Sequence, residues 1–212
     1  MKRIFALAPL LLLVGCAAEA TISVKTGFFF GHDLRKTESV VYVLDLSGSM
    51  REQSGSVVEQ AGTGFAAKAT GSLFRGFGAG AVGNAAEERI KKLQQKIEKV
   101  KAHLIACLNG LPQGSTFNVV LFSDGVQKLA PGLIEVNTAS VALVSAFVSK
   151  LEARGSTSLG AALEAGLYAG SRNIVVLTDG LPTDSSPEAI LARVRQINAG
   201  HAIAVSTVGV GG

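Results

Sequence analysis

The chain contains no tryptophan, two cysteines and three histidines, and only 6% of its 212 residues are aromatic. The core must therefore be built mainly from Val, Leu, Ile and Ala. Charged residues are also scarce, at 17%, whereas 48% of the residues are hydrophobic. This composition argues against a chain that is disordered throughout, and the length is enough for one domain with a sizeable core.

Basic residues form no stripe interleaved with aromatic side chains, so nucleic acid is not an expected partner. The formal net charge of +4 includes Lys2 and Arg3, which lie in an N-terminal segment that we expect to be removed. Without these two, 18 of the 20 basic residues remain against 16 acidic ones, so the net charge falls to +2.

The first fifteen residues have the pattern of a secretory signal. A positively charged start precedes an apolar run, Ile4–Val14, which is too short to span a bilayer comfortably. The run ends in LLLVGC at 11–16, which resembles the lipobox of bacterial lipoproteins. The resemblance implies that Cys16 is lipidated and becomes the mature N-terminus, and that Ala17 favours the outer membrane. An ordinary signal with an incidental cysteine is the alternative.

The remaining cysteine and the histidines show no pattern of reactive groups. If Cys16 carries a lipid, no intramolecular disulfide can form. Cys107 lies between apolar neighbours in a helical pattern, which indicates a buried small hydrophobe. His32, His103 and His201 have no metal or triad spacing, which favours structural or solvent-facing roles.

Strand and helix patterns alternate along the chain from residue 39. Helical periodicity appears after residue 87, over 141–151 and 159–167, and after Ser186. This alternation predicts an α/β fold with a mainly parallel sheet. Four apolar runs rich in β-branched residues predict strands at 39–47, 116–124, 173–180 and 202–211.

Oxygen-bearing side chains follow the predicted strands at the edge where such sheets bind ligands. Asp45, Ser47 and Ser49 occupy alternate positions, so they share a face of an extended segment. Thr157 precedes a helix and Asp179 ends another strand. Two carboxylates and three hydroxyls suit Mg²⁺, Mn²⁺ or Ca²⁺ rather than Zn²⁺, and so few carboxylates favour Mg²⁺.

Three segments carry a resemblance to a known family. DLSGS at 45–49, GST at 155–157 and TDG at 178–180 resemble the three parts of the metal-ion-dependent adhesion site of von Willebrand factor type A domains. The resemblance covers about residues 39–211. It implies a doubly wound, mainly parallel, Rossmann-like sheet flanked by helices.

The resemblance also implies roles for the five residues. Ser47 and Ser49 would ligate the metal through their hydroxyls, and Thr157 would join them in the ligand-competent state. Asp45 and Asp179 would act largely through water, or switch between direct and indirect contact. Neutral hydroxyls leave the charge of the cation poorly neutralised, so the metal would bind a Glu or Asp of a partner protein.

The expected function is therefore a metal-dependent protein-interaction module, not an enzyme, in a lipid-anchored protein of the bacterial envelope. An envelope-assembly component with a vestigial or structural metal site is the alternative. A metal-dependent hydrolase is less favoured because the motifs contain no general base. Asp45 is also a poor nucleophile candidate, because Ser47 stands where aspartyl-phosphate enzymes carry a second acid.

The expected organisation is a signal at 1–15, a tether at 16–38 and a domain at 39–212. Two features depart from the family. A Gly/Ala-rich insertion at 51–84 would form a lid, a partner-specific surface or a loop. The family usually continues beyond the last strand, so we expect a fragment, or a fold that lacks its C-terminal helix or strand.

Other motifs have simpler interpretations. GAGAVG at 78–83 matches a dinucleotide-binding fingerprint, but no hydrophobic strand precedes it, so a flexible loop is favoured. Asp124 and Asp184 are interpreted as turn residues. The three phenylalanines at 28–30 pack on the edge of the domain or lie at a membrane surface.

Overall fold

The computed structural model describes residues 25–53 and 95–210, in which a six-stranded sheet forms the centre of the fold. The strands are β1 (Phe28–Phe29), β2 (His32–Asp33), β3 (Ser39–Asp45), β4 (Thr116–Phe122), β5 (Val126–Lys128), β6 (Ile134–Glu135), β7 (Asn173–Thr178) and β8 (Ala204–Gly209). The α-helices are α1 (Lys96–Leu108), α2 (Thr138–Val148), α3 (Leu159–Leu167) and α4 (Pro187–Asn198), and a 3₁₀ helix spans Gly48–Arg51.

The order of strands across the sheet is β5-β4-β3-β7-β8, and β6 also pairs with β4. β3 runs parallel to both β4 and β7, and β7 runs parallel to β8. The antiparallel strand β5 follows the turn that contains Asp124, as predicted. The predicted α/β fold with a mainly parallel sheet is therefore confirmed.

The central strand β3 is buried on both faces because its apolar residues are continuous. Tyr42 and Leu44 face a core that includes residues of α1 and α2. Val41 and Val43 face a second core that includes residues of α3 and α4. Helices therefore cover both faces of the sheet, as a doubly wound fold requires. α3 lies so close to β3 that a Cβ at Gly166 would come within 2.9 Å of the Val43 side chain.

The N-terminal phenylalanines are packed on the domain. β1 and β2 form a two-stranded antiparallel sheet. Phe29 is fully buried, with its ring 5.1 Å from that of Tyr42. Phe30 stacks on His103 at 4.1 Å, and the guanidinium of Arg35 lies 4.7 Å from the centre of the Phe28 ring. The packed part of the chain thus extends N-terminal of the predicted boundary at residue 39, because these rings require burial.

Cys107 is a buried free cysteine, as predicted. Its sulfur lies 3.1 Å from the hydroxyl of Tyr42. Burial raises the pKa of the Cys107 thiol to about 11, so the thiol remains protonated and unreactive at neutral pH.

Several sequence interpretations fall on residues outside the described part of the chain. They are the signal at 1–15 with Cys16, most of the insertion at 51–84, and the part of the predicted helix that precedes Gln95. Within the described residues, no helix has the length and apolar character needed to cross a membrane.

We expect Leu104→Ala to lower the free energy of unfolding by about 2–5 kcal/mol, because the fully buried side chain would leave a cavity between α1 and the sheet. Leu143→Ala is the matched control, since Leu143 lies in α2 but is 75% exposed. It should change the unfolding free energy by about 0.5 kcal/mol or less. Urea denaturation measures both, and equal effects would contradict the packing described here.

Candidate functional site

Backbone hydrogen bonds hold three segments together at the carboxyl edge of the sheet. After β3 ends at Asp45, the N–H of Leu46 donates to the carbonyl of Phe122 at 2.8 Å. The N–H of Gly48 then donates to the carbonyl of Gly155 at 2.9 Å. The turn that follows β3 is therefore fixed both to the end of β4 and to the turn before α3.

The carboxylate of Asp45 is fully buried and accepts hydrogen bonds on both oxygens. Its Oδ1 accepts from the N–H of Ser47 at 2.7 Å. Its Oδ2 accepts from the hydroxyl of Thr178 at 2.7 Å. A buried carboxylate is costly unless it is paired in this way. Asp45 thus shapes its own turn and joins the ends of β3 and β7.

Ser47, Ser49 and Asp179 continue this network. The hydroxyl oxygens of Ser47 and Ser49 lie 3.0 Å apart. The Ser49 hydroxyl donates to Oδ1 of Asp179 at 2.7 Å, and the side chain of Asp179 has no exposed surface. Because Ser49 has one hydroxyl proton, the Ser47 hydroxyl donates to Ser49. The side chains of Ser47, Ser49 and Asp179 therefore form one hydrogen-bonded chain, and Asp45 joins it through the backbone N–H of Ser47.

Thr157, the fifth predicted residue, is positioned by its backbone. Its N–H donates to the hydroxyl of Thr183 at 3.1 Å, and its carbonyl accepts from the N–H of Thr183 at 2.9 Å. The Thr157 side chain is buried. Two residues earlier, Gly155 is bonded to Gly48. The turn that carries Thr157 therefore lies against the turn after β3.

Two acids that the sequence indicated only as turn residues also hold this segment. Oδ1 of Asp124 accepts from the N–H and the hydroxyl of Ser156, both at 2.8 Å, and these bonds lower the pKa of Asp124. The carboxylate of Asp184 accepts from the N–H groups of Gly160 and Ala161, at 3.2 and 3.1 Å, in the first turn of α3. No local pattern identifies these partners, because they lie 23, 24 or 32 residues from the acids in the sequence.

A lysine that no sequence motif indicates also lies at the site. Nζ of Lys96 donates to Oδ2 of Asp179 at 2.7 Å and to Oε2 of Glu52 at 3.1 Å. An isolated backbone bridge between Gln53 and Gln95 brings the flanking residues together. Burial favours a lower pKa for Lys96, but the hydrogen bonds to Asp179 and Glu52 outweigh it and raise the pKa above its ordinary value. The amine is therefore an ammonium at neutral pH.

The side chains of this site fit a hard divalent cation by their chemistry. They comprise two carboxylates and three hydroxyls, which are oxygen donors suited to Mg²⁺, Mn²⁺ or Ca²⁺. Across residues 25–53 and 95–210, no group of three or more His, Cys, Asp or Glu side chains is arranged to hold a metal. The ammonium of Lys96 supplies one positive charge beside the two carboxylates.

Comparisons with known proteins agree with the fold. A family described as von Willebrand factor type A domain matches residues 87–212, which include Thr157 and Asp179 but not the turn after β3. No curated protein matches the chain.

The solved structures similar to the chain include two with a TM-score of 0.50. A von Willebrand factor type A protein from Catenulispora acidiphila has 20% identity and a TM-score of 0.50, over 80% of this chain and 31% of that one. The conserved hypothetical protein BatB from Bacteroides thetaiotaomicron has 15% identity and a TM-score of 0.50, over 81% of this chain and 65% of that one. This chain thus spans less than two thirds of either protein, and the likeness is one of fold.

We expect Thr178→Val to lower the unfolding free energy by about 1–3 kcal/mol, because it removes the hydroxyl donor of the buried Asp45 carboxylate. Thr207→Val is the control, since Thr207 is exposed on the edge strand β8. Its effect should be about 0.5 kcal/mol or less. Chemical denaturation followed by circular dichroism compares them, and a neutral Thr178→Val would contradict the role given to this bond.

Proposed function

This chain belongs to the von Willebrand factor type A domain family, and on that premise we propose that it is a metal-dependent protein-interaction module and not an enzyme. One observation supports this most strongly. Asp45, Ser47, Ser49 and Asp179 form one hydrogen-bonded chain at the carboxyl ends of β3 and β7. The strand order reverses between these two strands, and sheets of this kind bind ligands at such a point.

The metal would be held by Asp45, Ser47, Ser49, Thr157 and Asp179, with Mg²⁺ as the preferred ion and Mn²⁺ or Ca²⁺ as substitutes. When bound, such an ion supplies a Lewis-acidic charge that attracts an anionic oxygen. Both oxygens of Asp45 already accept hydrogen bonds, so this carboxylate orients the turn and contributes negative charge from behind it. The hydroxyls of the two serines are neutral ligands that leave most of the charge of the cation available.

The partner would be a protein that presents an Asp or Glu side chain. Two exposed basic residues near the site favour such a partner. Arg154 lies in the turn before α3, and Arg51 is the last residue of the 3₁₀ helix after β3. Complementary charges of this kind guide an acidic surface towards a site. Leu181, which is 79% exposed and lies two residues after Asp179, would offer a partner an apolar contact near the proposed metal site. Nucleic acid is not an expected partner.

The protein would be anchored in the bacterial envelope by a lipid on Cys16, and the outer membrane is favoured over the inner one. The support is the pattern of the first seventeen residues, which lie outside the described part of the chain. A tether from residue 17 would then connect the membrane to the packed N-terminal strands.

A second candidate is an envelope-assembly or structural component whose metal site is vestigial. The pairing of Lys96 with Asp179 favours it, because an ammonium already neutralises one of the two carboxylates. In that case, chelation would leave partner binding unchanged. A metal-dependent hydrolase remains the least favoured function, because the motif residues offer no general base.

We expect Thr157→Val to weaken Mg²⁺ binding by about tenfold or more, because it removes one oxygen ligand and keeps the shape of the side chain. Ser158→Ala is the control: it removes the neighbouring hydroxyl, which makes no capping bond to α3. Calorimetric titration with Mg²⁺ measures the affinity, and capture of partners from envelope extract with and without chelator measures the interaction. Partner capture that survives both chelator and Thr157→Val would overturn the proposed function.

We expect Cys16→Ser to move the protein from the membrane fraction to the soluble fraction, because serine cannot form the thioether that carries the lipid. Cys107→Ser is the matched control and should leave the protein in the membrane fraction, since Cys107 is buried in the core. Fractionation of expressing cells with immunoblotting reads out both variants. Retention of the Cys16→Ser protein in membranes would contradict lipid anchoring.

A further inference from the structure

Lys96 places a charged ammonium against one of the two buried carboxylates of the proposed site. Its Nζ lies 2.7 Å from Oδ2 of Asp179, and the two side chains are 9% and 0% exposed. Lysine is rarely buried to this extent unless it is paired. The ammonium therefore neutralises one of the two negative charges that the five oxygen-bearing residues provide.

The position of Lys96 in its helix is unfavourable without this pairing. Lys96 is the first residue of α1, where the partial positive charge of the helix N-terminus disfavours a cation. Its backbone N–H donates to the carbonyl of Glu52 at 3.0 Å, which fixes the start of the side chain near the site. Asp179 therefore provides the interaction that stabilises the ammonium there.

Glu52 is the second carboxylate that the ammonium contacts. Its Oε2 lies 3.1 Å from Nζ of Lys96, and its side chain is 69% exposed. Exposed pairs are weak, so the bond to Glu52 alone holds the ammonium loosely. The four-carbon stem of lysine is flexible, and rotation about it can move the ammonium away from Asp179 while the contact with Glu52 remains.

A divalent cation and the ammonium make conflicting demands on Asp179. In the structure, Oδ1 of Asp179 accepts from Ser49 and Oδ2 accepts from Lys96. Each oxygen of this carboxylate already has a donor, so a cation that uses it, directly or through water, competes with at least one of these donors. Two positive charges beside one carboxylate in a buried site also repel each other strongly.

We propose that Lys96 is a resident cation of this site: its ammonium competes with the divalent metal for Asp179 and shifts towards Glu52 when the metal binds. This inference rests on the proposed metal-binding function. It follows that Lys96 lowers the affinity for the metal, and that it neutralises Asp179 when no metal is bound. The metal affinity of this protein is then set by a side chain that is not itself a ligand.

The test is a calorimetric titration of the full chain with Mg²⁺, alongside binding of Mn²⁺ followed by electron paramagnetic resonance. We expect Lys96→Met to tighten Mg²⁺ binding by about tenfold or more, because it removes the competing charge and keeps the apolar stem. Lys96→Arg keeps the charge and should remain near the wild-type affinity. Lys101→Met is the matched control, since Lys101 lies in the same helix, is 8% exposed and pairs with Glu98.

Thermal melting gives a second test, because a lysine with only a structural role would not make the stability of its variant depend on Mg²⁺. Without metal, Lys96→Met should melt below the wild type, because Asp179 is left buried without its counter-ion. Saturating Mg²⁺ should restore the lost stability in Lys96→Met but not in Lys101→Met. If Lys96→Met does not fold, Lys96→Gln removes the same charge and answers the same question.

The outcomes separate this inference from the proposed function. Tighter Mg²⁺ binding by Lys96→Met than by the wild type supports the inference. If Lys96→Met binds Mg²⁺ and the wild type binds none, the inference is supported but the metal-dependent function of the wild type is overturned. Equal or weaker binding by Lys96→Met overturns the inference and leaves the proposed function standing. If neither the wild type nor the charge-removing variants bind Mg²⁺ or Mn²⁺, both are overturned.

Discussion

The site depends on one buried carboxylate. Asp45 has no exposed surface, and its two oxygens accept hydrogen bonds from its own turn and from Thr178 at the end of β7. A charge in this position destabilises the fold unless both oxygens are paired, so the turn and the neighbouring strand must keep their places. The same constraint brings Ser47, Ser49 and Asp179 into one network.

The core explains why that carboxylate can be held rigidly. β3 lies between two parallel strands and is covered by helices on both faces, so its carboxyl end has little freedom to move. The chain adds strands first on one side of β3 and later on the other. Helix crossovers of opposite direction therefore leave a crevice between β3 and β7, and the oxygen-bearing side chains lie at that crevice.

Charge balance distinguishes this site from a simple cluster of oxygen ligands. Two buried carboxylates in one site favour a bound cation, and the ammonium of Lys96 is a cation that the chain itself supplies.

The turn before α3 is held in place by two further carboxylates. Asp124 and Asp184 bind backbone N–H groups on either side of Thr157, so the turn has a defined shape before any ligand arrives.

Local periodicity was sufficient to predict the four parallel strands and the α/β class, because these depend on residues a few positions apart. The expected extended face of Asp45, Ser47 and Ser49 is wrong in its geometry, since the strand ends at Asp45 and Ser49 lies in the 3₁₀ helix Gly48–Arg51. The tertiary structure alone decided which distant groups pair. Ser49 meets Asp179 across 130 positions, and Lys96 meets Asp179 across 83. Those contacts follow from strand order and from where α1 begins, so no short stretch of sequence contains the information that specifies them.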